Sequence, residues 1–108
     1  MVQVSYKLWI DDQLGDPETP TRHTPEGWVG AASVEEAVAI VETYGYPPEE
    51  MDLDHDLGPN ETVMEFLSWL SWEYIDVIPR YKIHSMNPVG VERITSFMES
   101  WKRAWQKQ

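Results

Sequence analysis

The feature that most constrains this chain is an alternation of two periodicities. Short runs rich in β-branched and aromatic residues take turns with longer runs whose apolar residues recur every three or four positions, and several of the short runs end in acids or histidine. "VSYKLWIDD" (4–12) reads as a strand that stops at two acids. "QLGDPETPTRHTPEG" (13–27) holds three Pro and two Gly without a helical period, and reads as a long loop of the kind that carries function. "WVGAA" (28–32) is a short strand. "SVEEAVAIVETYG" (33–45) opens on Ser33 with Glu36 three residues on, a capping box, and closes at Gly45. Val34, Ala37, Val38, Val41 and Tyr44 fall on one face of that helix.

After the connector "YPPEE" (46–50), "MDLDHDL" (51–57) is the third strand, and "ETVMEFLSWLSWEY" (61–74) is a helix with Val63, Phe66, Leu67, Leu70 and Tyr74 on one side. "RYKIHS" (80–85) is the fourth strand. Asn87-Pro88 supplies an N-cap and a first helical residue for a last helix that runs to about residue 106, with Val91, Ile94, Met98, Trp101 and Trp105 on one stripe. The order β-loop-β-α-β-α-β-α predicts an α/β fold with about four parallel strands, flanking helices and right-handed crossovers. Ligands of such sheets sit beyond the carboxyl ends of the strands.

Composition narrows the function. At 108 residues the chain is a single domain, 1–108, and six Trp and five Tyr make its core aromatic. It has no cysteine, so neither a disulfide framework nor a thiolate metal site is available. The N-terminal segment is too short and polar for a signal peptide and no apolar run approaches a membrane span, so a soluble cytoplasmic protein is expected, with no membrane partner. A net charge of −11 argues against direct binding to duplex DNA, since like charges repel. It leaves a bound cation, a basic protein partner or plain solubility.

The strand ends bring the acids together. Asp11-Asp12 follow the first strand, Asp54-His55-Asp56 end the third, and His84-Ser85 end the fourth, with Asn87 just beyond. If strands one and three are neighbours, their ends lie about 5 Å apart. Two carboxylates at that distance repel by about 3 kcal/mol at an effective dielectric of 20. A hard divalent cation removes that cost, and oxygen ligands favour Mg²⁺. One Asp at a strand-to-helix turn is accounted for by capping, and Asp56 and Asn60 are placed to start the helix at 61. Acids converging from two segments are better accounted for by a cation. Taken singly, His55 and His84 are each a packed histidine; as a pair beside acids they are candidates for acid and base on a phosphate ester. Alternation sets a condition: if Asp54 and Ser85 point into the site, His55 and His84 point away. The first turn of the last helix, from Asn87, is expected to offer free N–H groups to an anion.

The segments "WVGAASVEEAVAIVE" and "MDLDHDLG" resemble the second strand, second helix and third strand of a response-regulator receiver domain. With "LWIDD" and "IHSMNPVG" the chain resembles, from Lys7 to Met98, a more compact family, the cyclic-phosphate processing receiver domains. The resemblance implies a truncated flavodoxin/receiver-like three-layer fold in which the first receiver helix is replaced by loop 13–27 and the fifth strand, with its phosphoryl-clamping lysine, is missing. It implies Mg²⁺ at Asp11 and Asp12, the phosphoacceptor position at Asp54, a carbonyl ligand from Asp56, and the Ser/Thr position at Ser85. It also implies a phosphate-containing small molecule or an RNA end as the partner.

Three readings of function stand side by side. In the first, a metal-assisted phosphoesterase or phosphate binder, Asp11, Asp12, Asp54 and Asp56 hold Mg²⁺. Asp54, His55, His84 and Ser85 then act on a cyclic phosphate, and Asn87, Arg22 and His23 contact it. In the second, the domain is a non-enzymatic signalling receiver. In the third, it is an acidic interaction module that meets a basic partner through an aromatic patch at Trp69 and Trp72.

Overall fold

The computed structural model describes residues 5–12 and 24–106. The elements follow the expected order: β1 (Lys7–Ile10), β2 (Val29–Ala31), α1 (Val34–Tyr44), β3 (Glu50–Leu53), α2 (Met64–Glu73), β4 (Arg80–Ile83) and α3 (Pro88–Gln106). The four strands form one parallel sheet in the order β2-β1-β3-β4. β1 and β3 are the inner pair, and Ile10 lies level with Leu53. The carboxyl ends of these two strands are therefore neighbours, the condition on which convergence of the acids depended.

One face of the sheet carries the apolar core. Leu8 and Ile10 pair with Met51 and Leu53, so all four side chains share a face, and Ala31, Tyr81 and Ile83 continue it. α1 contributes Ala37 and Val41 to this core, α2 contributes Phe66, Leu67 and Leu70, and α3 contributes Ile94, Met98 and Trp101. A three-layer arrangement has helices on both faces; the three described helices pack on one. The second face carries the alternate residues Lys7, Trp9, Glu50, Asp52, Arg80 and Lys82. There Glu50 sits 3.3 Å from Lys82 and 3.7 Å from Arg80, and Trp28 meets Trp9 edge-on. No helix among the described residues is long and apolar enough to cross a membrane.

The helix ends show how local sequence becomes geometry. Ser33 Oγ accepts the Glu36 N–H at 3.1 Å, and Glu36 reaches back to accept the Ala32 N–H at 2.7 Å, one residue before the helix cap. Gly45 closes α1 in the left-handed region at φ 81°, donating its N–H to Val41. α2 begins at Met64 rather than 61, because Glu61 is used elsewhere: its carboxylate accepts the Val34 N–H of α1 at 2.7 Å. Asp56 and Asn60 do not cap α2. Asp56 instead bridges Thr62 through the backbone, and Thr62 Oγ1 accepts the Met64 N–H at 3.3 Å.

Two substitutions test this account by urea denaturation. Phe66→Ala, at a fully buried position, should lower stability by about 3–5 kcal/mol. Ser33→Ala should cost about 1 kcal/mol through loss of the cap. A Ser33→Ala effect equal to that of Phe66→Ala would mean that α1 depends on its cap more than on its buried face.

Candidate metal and phosphate site

The sheet ladder extends one residue past the ends of β1, β3 and β4. The Asp11 N–H donates to the Ala31 carbonyl, the Asp54 N–H to Ile10 and the His84 N–H to Leu53, each at 3.0 Å. These bonds set Asp11, Asp54 and His84 side by side at the carboxyl edge. All three continue the parity of the second face, since each follows a core-facing residue (Ile10, Leu53 and Ile83). One ligand atom from each side chain lies within 4.8 Å of the others.

His84 is held on three sides. Its Nδ1 is 2.7 Å from Asp52 Oδ1, and its ring stacks on Trp9 with centroids 4.2 Å apart and planes 5° apart. Its Nε2 is 3.4 Å from Asp11 Oδ2. Asp11 is 1% exposed, and Asp54 is buried as well.

The other expected site residues lie around this cluster in different settings. Asp12 is exposed in the turn after β1. Asp56 is exposed, accepting from Asn87 Nδ2 at 3.1 Å and pairing with His55 Nδ1 at 2.9 Å. The bond from His55 and then that from Asn87 hold the Asp56 carboxyl below its usual range. His55 itself is buried beneath α3, and its Nε2 has no hydrogen-bond partner. Gly90 permits that packing: a Cβ there would come within 2.5 Å of the His55 ring. Ser85 Oγ accepts the Asn87 N–H at 3.1 Å. Arg22 and His23 lie outside the described residues.

Two expectations are therefore revised. The alternation condition grouped Asp54 with Ser85 and both histidines away from them; the β3–β4 register instead sets His84 level with Asp54 and leaves His55 on the helix side. The N–H groups expected to be free at the start of α3 are already used. Asn87 Oδ1 accepts from Val89 at 3.1 Å and from Gly90 at 3.2 Å, and Pro88 has no N–H to give. Sequence reasoning missed Asp52 and Trp9, the groups that fix the His84 ring. A signal for both existed: Trp9 precedes Asp11 by two residues and Asp52 precedes Asp54 by two, so each pair shares a face of its strand.

A cation fits this donor set. Ligands of one ion at about 2.1 Å stand about 3 to 4.2 Å apart, so a small closing of the cluster suffices. Asp11 and Asp54 supply the hard oxygens, and the cation would offset their mutual repulsion and draw in an anion.

A four-stranded parallel sheet with acids at the ends of its two inner strands is a receiver-like domain. The family model described as the cyclic-phosphate processing receiver domain matches residues 6–100, and the chain belongs to that family. Neither a curated protein nor a solved structure matches it.

The packing of Gly90 on His55 makes a prediction. Gly90→Ala should destabilise the fold by about 1–3 kcal/mol through overpacking. It should also shift the amide signals of Asp56 and Asn87. In a His55→Ala background the same change should cost little. Full additivity of the two substitutions in a double-mutant cycle would show that the ring and the helix are not coupled.

Proposed function

We propose that this domain binds a divalent cation at its carboxyl edge and, through that cation, the phosphate of a small ester such as a cyclic-phosphate nucleotide or an RNA end. The observation that carries the reading is the convergence of the Asp11, Asp54 and His84 donors within 4.8 Å of one another, held there by the sheet ladder. Mg²⁺ is the cation the two carboxylates select as oxygen donors, with Asp12 close enough in sequence to join through water. When bound, the ion supplies a positive centre that polarises a phosphoryl oxygen.

Charge decides how a phosphate can be held. The chain carries −11, and the α3 N–H groups are taken by Asn87. A helix end would contribute only about 0.3–1 kcal/mol to an anion in any case. The cation therefore provides the attraction, while Ser85 and Asn87 shape the rim. Calorimetric titration with a 2′,3′-cyclic nucleotide should give binding in Mg²⁺ and none in EDTA. Asp54→Asn should weaken cation binding about tenfold or more, judged against the 10–100-fold effect of losing even a supporting group. Equal nucleotide binding with and without EDTA would sink this reading.

A second reading rests on a different surface. Trp72 is 84% exposed on α2, next to Met64, Ser68 and Ser71, while Trp69 packs against Phe66 and Tyr74. Ile75 is exposed nearby, and the acids Glu65, Glu73 and Asp76 surround this patch in sequence. An exposed indole within an acidic rim suits a basic amphipathic protein segment. Binding of a Lys/Leu amphipathic peptide should shift the Trp fluorescence of the wild type and not of Trp72→Ala. An identical shift in both proteins would remove this surface from consideration.

A further inference from the structure

We propose that the α2–α3 surface is where two copies of this chain associate, with the acidic wall of α2 in one copy seated against the basic wall of α3 in the other. The proposal rests on the second reading above, an exposed Trp72 within an acidic rim, and names the basic amphipathic segment that this rim takes: α3 of a second copy.

Charge is unevenly distributed along the chain. Between Arg22 and Arg80 there is no Lys or Arg, and six of the eight cationic residues lie at 80 or beyond. α2 therefore carries only acids, Glu65 and Glu73, with Asp76 just after it. α3 carries Arg93, Lys102 and Arg103. The two helices share one groove and run the same way. Met64 lines one end of it with Arg93 and Phe97, and Ile75 lines the other with Phe97 and Ala104. The Trp101 indole donates to the Ile75 carbonyl at 2.9 Å and fixes that level. Glu65 thus lies near the level of Arg93, and Glu73 and Asp76 near that of Arg103. At 1.5 Å per residue, Glu65 to Glu73 spans about 12 Å and Arg93 to Arg103 about 15 Å, so the two walls match in spacing.

Such a surface is self-complementary under one operation. A two-fold axis lying in the interface along the groove sets α2 of one copy over α3 of the other with the levels unchanged. Glu65 then faces the second copy's Arg93, Glu73 and Asp76 face its Arg103, and each contact forms twice. An axis across the groove would instead set α2 on α2 and acid on acid. Apolar side chains supply the contact: Trp72 is 84% exposed, Val89 59% and Ile75 46%. Trp72 stands at the level of Ser100 and Ala104, whose small side chains leave room for an indole. Glu92 is the acid on the α3 wall, next to Arg93. The net charge of −11 opposes the approach of two copies, but physiological salt screens such fields beyond about 8 Å, so the facing walls decide. α2 has only 10 residues, which keeps the interface small and the association weak and reversible.

Analytical ultracentrifugation of the full chain at about 0.15 M salt tests this. The weight-average mass of the wild type should rise toward twice the monomer value as concentration increases. Trp72→Ala should weaken association about tenfold or more, the scale of an aromatic anchor at the centre of an interface. Arg103→Glu and Glu73→Arg should each weaken it, because each sets like charges face to face. Mixing those two variants should restore it, since Glu73 of one then faces Arg103 of the other and the two reversed residues face each other. Restoration also shows that both variants fold. A wild type that stays monomeric at millimolar concentration, while the Lys/Leu peptide still shifts its Trp fluorescence, would overturn the proposal and leave the second reading standing. A monomer with no peptide response would remove both. Association unchanged by Trp72→Ala and by both charge reversals would place the contact elsewhere and overturn the proposal.

Discussion

The parallel pairing of β1 with β3 is the constraint on which the rest of the structure depends. One register does two jobs. On the helix side it sets Leu8 and Ile10 against Met51 and Leu53, all fully buried, and every helix finds its seat on that surface. At the carboxyl edge it sets Asp11 beside Asp54. A slip of one residue would turn the apolar set toward the polar face and separate the acids at the same time. Hydrophobic burial, the larger energy, thus enforces an electrostatic juxtaposition that the acids alone would oppose.

Packing all three described helices on one face has a consequence for the second. On the sheet side that carries Lys7, Trp9, Glu50, Asp52, Arg80 and Lys82, Glu50 pairs with Arg80 and Lys82, Lys7 lies 5.6 Å from the Trp28 ring, and His84 meets Asp52 and stacks on Trp9. This polar layer feeds directly into the edge where Asp11 and Asp54 stand. In the receiver arrangement that the sequence resembles, a lysine from a fifth strand faces the acids. Here the described sheet ends at β4, and the group facing them from that strand is an imidazole. An imidazole either carries a proton or donates a lone pair, so it suits a site that takes a cation as well as one that does without.

Much of this was legible in the residues. Strand and helix order, the Ser33 cap, the Gly45 stop and the Asn87-Pro88 start all depend on local chemistry, and local chemistry is what a single sequence records. The start of α2 was less so. Glu61 looked like a first-turn acid of its own helix, but it caps α1 across 27 positions, a contact that only the tertiary fold creates. The site showed the same division. That acids would meet was readable from the strand ends, because it needed only strand adjacency. Which histidine would join them was not, because that choice turns on the β3–β4 register, and nothing local to "RYKIHS" fixes the level at which it pairs with "MDLDHDL".

The two histidines illustrate how one strand edge separates two roles. His84 shares the parity of Asp54 and lies among acids on the polar face; His55, one residue past Asp54, has the opposite parity and goes under α3. There its Nδ1 meets Asp56, Asp56 meets Asn87, and Asn87 caps α3. The chain of contacts ties the seat of the last helix to the loop that follows Asp54. Because Gly90 leaves no room for a Cβ against the ring, α3 can approach only as far as His55 allows, and the position of that ring sets where the Asn87 cap stands relative to the edge. The loop after Asp54 and the N-terminus of α3 are thus joined through side chains in direct contact. His55 is the spacer in that linkage, whereas His84 stands with Asp11 and Asp54 at the carboxyl edge.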